Sequence, residues 1–520
     1  MSTTMDESSS PAAESPAVLR QAGLLEKFHI IRSSISFYNN VIVSASYSSP
    51  NPLSPDRLIR ALHTVLSAHP SLSVGIQLSE EPTGTPSFIR LPSINFSKSE
   101  KFIIWESSST SPGHAKEYKD LLCRLHNTPF ANEDLTTLPL WRIGVLKRSY
   151  NTPTAYDSET NSEGRIDYEI AFSVHHAIAD GLSCAAFHYS LVNALNSVDE
   201  TSDSGVNWDI YTPPKDLKLL PSMDEVLDFG MGLKTAGKVA GFVGKSILPS
   251  FMHKTFWAAG KVPEKLSPTK IDVLTFEPYV LENLIKTLRA KKVSLTAFLT
   301  YAVANSLFNV MKTWEKDEFA KIKYVKVSVP MSYRKNAGWD NTVMSDFVGA
   351  INWDIAKFKS LEGEVSGMKK LTAELKKEST VTRDSEVGLI ALVGDLAGFF
   401  KGQVGKDREL TFEVSNLGVL DPGKIGDSKK KEREKEQEKE QKKEGGEGSK
   451  PVTKESEGWR IEEALFSQSA SVPGPAFSVN AVTVNGSMRI VVQWMEGVFK
   501  DEVMEALVKS LNSSLPDFSK

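Results

Sequence analysis

Two adjacent histidines, His175 and His176, precede an Asp-Gly pair in the string Ser173-Val174-His175-His176-Ala177-Ile178-Ala179-Asp180-Gly181. Free imidazole titrates near neutral pH. A histidine held still beside a cavity therefore suits a general base that takes a proton from a hydroxyl or an amine. On this ground one histidine of the pair, with a pKa near neutrality, is a candidate base. Asp180 either orients His176 directly or braces its loop through an arginine elsewhere. Two histidines are also half of a metal site. No third ligand of matching spacing follows, so no metal is expected. A lone histidine at a strand end is commonly just a satisfied polar group, but the full string is much rarer by accident.

These residues need elements on both sides to place them. Ile166 to Val174 alternates as a strand, and Leu182 to Leu195 carries apolar side chains at helical spacing. The histidines therefore fall where a buried strand ends, with Asp180 as N-cap of the next helix. Upstream, Phe37 to Tyr47 reads as a strand. Ser54 caps and Pro55 opens a helix to Ala68, whose apolar face is Leu58, Ala61, Leu62, Val65 and Leu66. Pro139 to Leu146 is another strand, and 149–165 is a polar loop. Downstream, strands are expected at Lys270–Phe276, Tyr324–Pro330, Phe347–Trp353, Leu410–Ser415 and Ile461–Ser471. Helices are expected at Val280–Ala290, Thr296–Lys312, Leu361–Lys377, Ser385–Phe400 and Asp501–Leu511. Phe477 to Trp494 forms a hairpin that turns at Asn485-Gly486, a type I′ signal.

The chain has 520 residues and a net charge of −4, with no general basic field to attract nucleic acid. Two cysteines, Cys123 and Cys184, make no disulfide framework and fit a reducing compartment. The polar, acidic start has no apolar core of a secretory signal. Residues 1–16 are expected to be disordered, and 423–458 is an insertion of Lys, Glu, Gln and Gly without an apolar face. Between them lie an N-terminal lobe at 17–212, a connector at 213–265 and a C-terminal lobe at 266–520. Within the connector, Met223 to Ala259 mixes aromatics with Lys234, Lys238 and Lys245. It reads either as a helix crossing between the lobes or as an amphipathic helix that touches a membrane or lids an apolar site.

The string His175-His176-x-x-x-Asp180-Gly181 resembles the active-site motif of the condensation-like acyltransferase superfamily, which includes chloramphenicol acetyltransferases. Gly23-Leu24-Leu25-Glu26, then Arg32, then Tyr38-Asn39-Asn40-Val41, is similar to the start of fungal alcohol acetyltransferases. Pro139-Leu140-Trp141-Arg142 and Ser415-Asn416-Leu417-Gly418 are similar to two further segments of the superfamily. The plant members' Asp-Phe-Gly-Trp-Gly element is absent; Ser345-Asp346-Phe347-Val348-Gly349 is only vaguely like it. No carrier-protein domain accompanies the chain, unlike a peptide-synthetase module.

The resemblance implies an α/β fold of two chloramphenicol acetyltransferase-like lobes, each a mixed sheet with helices, with a tunnel between them. It implies His176 as general base, His175 and Gly181 as supporting motif residues, and acetyl-CoA or a related acyl-CoA as co-substrate without a metal. Asp180 is then structural, paired with Arg334 or, alternatively, Arg142. Asn416 either stabilises an oxyanion or is a turn residue. The acceptor is a small-molecule alcohol or amine. A cytoplasmic monomer is expected, with peripheral contact to endoplasmic reticulum or lipid droplets. The rival of another class is a catalytically silent lipid- or ligand-binding relative, which has no need of the base.

Overall fold

The computed structural model describes residues 17–518 apart from 82, 109–112, 153–154, 159–163, 201–204, 231, 233–255, 358–359 and 422–457. The expectations for 1–16, for the lysine-bearing part of the connector and for nearly all of the 423–458 insertion lie outside the described residues.

The strand that leads to the histidines, Ile166–Val174, is the middle of a five-stranded sheet. Its order is Arg460–Gln468, Val41–Ser49, Ile166–Val174, Trp141–Lys147, Ile103–Ser107. Every pair is antiparallel except the last. Position in the middle explains the composition: Ile170, Ala171, Phe172 and Val174 are covered on both faces. A second sheet of six strands runs Thr269–Phe276, Ser487–Met495, Phe477–Val484, Phe412–Leu420, Tyr324–Ser332, Val348–Ala356. Phe412–Leu420 lies parallel to both its neighbours and the other pairs are antiparallel, so both sheets are mixed.

Each sheet packs helices over its own core. Helices Pro55–Ala68 and Gly181–Ser197 cover the first. Helix Leu295–Trp314, buried along most of its length, covers the second. A separate buried cluster joins the lobes: Ile42, Leu121, Leu125, Ala171 and Leu465 from the first sheet's side meet Ile271 and Val491 from the second. Each buried leucine there contributes roughly 1.5–3 kcal/mol. Among the described residues no single helix is long and apolar enough to cross a membrane.

Three expectations need correction. Strand Arg460–Gln468 follows the insertion in sequence but pairs with Val41–Ser49, so one strand of the 266–520 segment completes the first sheet. The helix expected over Ser385–Phe400 is two short helices, Glu386–Ile390 and Leu396–Lys401. Asp395 breaks it by capping the second, accepting from the Gly398 amide at 2.8 Å. The 149–165 loop contains a small hairpin of Tyr150–Thr152 with Ala155–Ser158. At Asn485-Gly486 both residues have positive φ (49° and 80°), as a type I′ turn requires.

Candidate active site

A cavity of about 460 Å³ opens between the two sheets. That is within the range of small-molecule sites, roughly 300–1,000 Å³. One wall carries His176, Asp180 and Gly181; the facing wall carries Pro330, Val348 and Asn416 from the second sheet. A further cavity of about 360 Å³, lined by Phe130 and Arg142 among others, contains none of the motif residues.

Asp180 is the N-cap of helix Gly181–Ser197: its Oδ1 accepts from the Ser183 amide at 2.9 Å and the Ser183 hydroxyl at 3.0 Å. Arg334 grips the same carboxylate with two nitrogens, Nη1 to Oδ2 at 2.7 Å and Nη2 to Oδ1 at 2.8 Å. It also donates to the Ser345 and Val343 carbonyls. Arg334 is 0% exposed, so this fork pins the first lobe to the second inside the protein. Burial resists charge on Asp180, but the Arg334 guanidinium and its hydrogen bonds outweigh it and hold the carboxyl below its ordinary range. Arg142, the alternative partner, instead donates to the Thr128 and Pro129 carbonyls.

With Asp180 committed to Arg334, His176 has other neighbours. Helix Leu24–Ser34 brings His29 face to face with it, ring centroids 3.9 Å apart and planes 4° from parallel. Asp346, just before strand Val348–Ala356, lies at the ring edges. Its Oδ2 is 3.2 Å from His29 Nε2, and its Oδ1 is 3.7 Å from His176 Nδ1. On the far side of His29, Arg32 Nη2 meets Nδ1 at 3.0 Å. Burial lowers His176 to about 3, with His29 adding to the effect, so the near-neutral value expected for the base is corrected. The ring is nonetheless uncharged at neutral pH, as a base must be. Burial also pushes Asp346 up to about 8, against the pull of His176.

His29, His176 and Asp346 place one ligand atom each within 4.8 Å of one another, a set that sequence spacing did not offer. The stacking does not suit a cation. Ring lone pairs lie in the ring planes, and two parallel rings aim them side by side rather than at one point. An ion between them would sit well out of both planes.

The supporting residues have separate tasks. His175 is buried, pushed down to about 3 by that burial, and turns away from the cavity edge-on to Phe130; its Nδ1 accepts from the Ala177 amide at 3.1 Å. At Gly181 an added Cβ would come within 2.7 Å of Leu417 and 3.0 Å of the Phe466 ring, so close approach requires glycine. Asn416 accepts from the Gly418 amide at 2.9 Å and donates to Thr296 Oγ1 at 3.2 Å. The bond to Gly418 is that of a turn residue, and the side chain also lines the cavity. His29 was not singled out from sequence, and Arg32 and Asp346 were named there only within resembling segments, with no role assigned. The available signal was the pair of polar residues His29 and Arg32, which share one helix face with Leu25 and Phe28 at spacings of three and four.

Two mixed sheets around a cleft, with a motif histidine on its wall, define an acyltransferase architecture. The TRI3 trichothecene 15-O-acetyltransferase of Fusarium sporotrichioides has the same fold, with a TM-score of 0.65 at 12% identity over 98% of this chain and 100% of that one. The model of the alcohol acetyltransferase family matches residues 114–429, and the chain belongs to that family. It is 24% identical to a probable alcohol acetyltransferase, FCK4, of Fusarium pseudograminearum over 95% of this chain and 94% of that protein. It is 26% identical to another, crmB, of Aspergillus fumigatus over 93% and 96%.

Proposed function

We propose that this acyltransferase moves an acetyl group from acetyl-CoA to an uncharged alcohol, with His176 as general base. The observation that carries it is the placement of His176: Nδ1 is buried beside Asp346 while the ring lines the cavity, which leaves Nε2 to meet a substrate. The acceptor hydroxyl gives its proton to Nε2 as its oxygen bonds to the thioester carbonyl carbon. The tetrahedral intermediate then expels the CoA sulfur, which takes the proton back from Nε2. No acyl-enzyme is required, because holding both substrates at one histidine supplies much of the rate.

Much of the cavity wall is apolar: Leu25, Phe28, Val262, Met331, Phe400 and Leu417 line it. Such a wall favours an apolar acceptor body. Glu386, Asp407, Glu409 and Glu413 also line it, which disfavours an anionic acceptor and supports N-acetylation of an amine as a second reading. A cytoplasmic monomer is part of the proposal; the two free thiols, Cys123 and Cys184, fit a reducing compartment.

The test is thiol release from acetyl-CoA with straight-chain alcohols, a sterol and matching amines, with products identified by mass spectrometry. Acetate esters are expected. His176→Ala should lose about 10²–10⁴-fold in kcat while folding normally. Folded His176→Ala at wild-type turnover would sink the assignment of the base, and acetamides alone would favour the amine.

A further inference from the structure

Four buried polar atoms meet behind the cavity wall without a hydrogen bond of good geometry: His29 Nε2, His176 Nδ1 and both oxygens of Asp346. Native proteins rarely leave such groups unpaired, and a cluster of them beside a reacting atom calls for a reason. Their hydrogens can be placed. Arg32 has only donors, so at 3.0 Å it makes His29 Nδ1 the acceptor. Neutral His29 therefore carries its hydrogen on Nε2, which lies 3.2 Å from Asp346 Oδ2. That hydrogen faces one carboxylate oxygen of Asp346. The other, Oδ1, lies 3.7 Å from His176 Nδ1. That is long for a hydrogen bond, but contacts at a catalytic site commonly tighten only when substrate is bound.

We infer that Asp346, aimed by His29, is a positioning residue that holds the hydrogen of neutral His176 on Nδ1 and so keeps Nε2 free as the base. Asp180 cannot do this, since Arg334 and Ser183 occupy its oxygens. When His176 accepts the acceptor's proton on Nε2, the Nδ1 hydrogen stays in place and the new imidazolium faces the Asp346 carboxylate. The proton leaves again from Nε2 to the CoA sulfur, so Asp346 ends as it began. The stacked ring of His29 keeps the His176 plane parallel to its own and limits its swing into the cavity. This inference rests on the proposed role of His176.

The primary test needs no variant. Nitrogen-15 NMR of the wild-type protein labelled at histidine, at pH 9, above the value to which burial pushes Asp346, should show His176 with its hydrogen on Nδ1; a hydrogen on Nε2 overturns the inference. Comparison with His176→Gln assigns the signal. Asp346→Asn should then lower kcat about 10²–10⁴-fold, the scale of a lost orienting carboxylate, with KM for acetyl-CoA changed less than about threefold and an unchanged melting temperature. Asp346→Asn with kcat within about threefold of wild type, or with a loss matched by a lower melting temperature, overturns it as well. If His176→Ala retains activity, the base assignment itself fails, a result separate from any outcome at Asp346.

Discussion

At the scale of single residues, the motif aspartate and the base are served by different carboxylates. Asp180 holds the turn and Arg334 holds Asp180. Removing either partner strands a buried charge, which costs roughly 3–5 kcal/mol. Asp180→Ala and Arg334→Ala should each lower stability on that scale, and the double variant should lose less than their sum, as denaturant melts will show. Additive losses would mean that the fork does not couple them. Asp346 makes a different prediction. His29 and His176 face it directly, and Asp180, Glu26 and Arg334 act on it through space. With its carboxyl pushed up to about 8, it accepts a hydrogen bond well only above that pH. Activity should therefore rise as pH increases through about 8, and the limb should disappear in Asp346→Asn. A wild-type rate flat from pH 6 to pH 9 would contradict this.

At the scale of elements, the site depends on three chain segments meeting at one helix start. Strand Ile166–Val174 ends at the histidines, helix Gly181–Ser197 begins at the cap, and Leu417 and Phe466 close over Gly181. Gly181→Ala places a methyl 2.7 Å from Leu417 Cδ2 and 3.0 Å from the Phe466 ring. Overpacking of this kind costs typically about 1–3 kcal/mol. The melting temperature should fall, and KM should rise more than kcat falls, because the displaced residues form the cavity wall rather than the base. An unchanged melting temperature would show that the wall yields freely.

At the scale of the whole molecule, an unusual share of the nine histidines is buried and uncharged. Burial sends His126, His175 and His176 down to about 3 and His69 and His188 down to about 4; His29 lies well below its ordinary value. Unfolded, each titrates near 6.5, so between about 6.5 and 4 the unfolded chain binds more protons than the folded one. Stability is then full above about 6.5 and is lost as pH falls, by up to ~1.4 kcal/mol per pH unit for each histidine. Asp346 and Glu413, whose carboxyls are raised by burial, act in the opposite sense but are outnumbered. The melting temperature should drop on the order of 10 °C between pH 7 and pH 5. A protein equally stable at both would refute this account.

What the sequence determined by itself was local. Strand, turn and cap around His175, His176 and Asp180 follow from a period of two giving way to helical spacing, with an N-capping residue at the change. The Asn485-Gly486 turn and helix Leu295–Trp314 follow from similarly local signals. The Asp180–Arg334 pair lay one step further, as a choice between two arginines, and packing decided it: Arg142 spends its donors on carbonyls beside its own strand, while Arg334 is buried across the lobes. The tertiary structure alone decided the rest. Strand Arg460–Gln468 left its half of the chain because Val41–Ser49 presented an unpaired edge to it. His29 and Asp346 are separated from His176 by more than a hundred residues each, and no periodicity relates them. They meet because helix Leu24–Ser34 and the entry to strand Val348–Ala356 both pack against the turn after Val174, a consequence of packing within the first lobe for His29 and of lobe docking for Asp346, which no local spacing encodes.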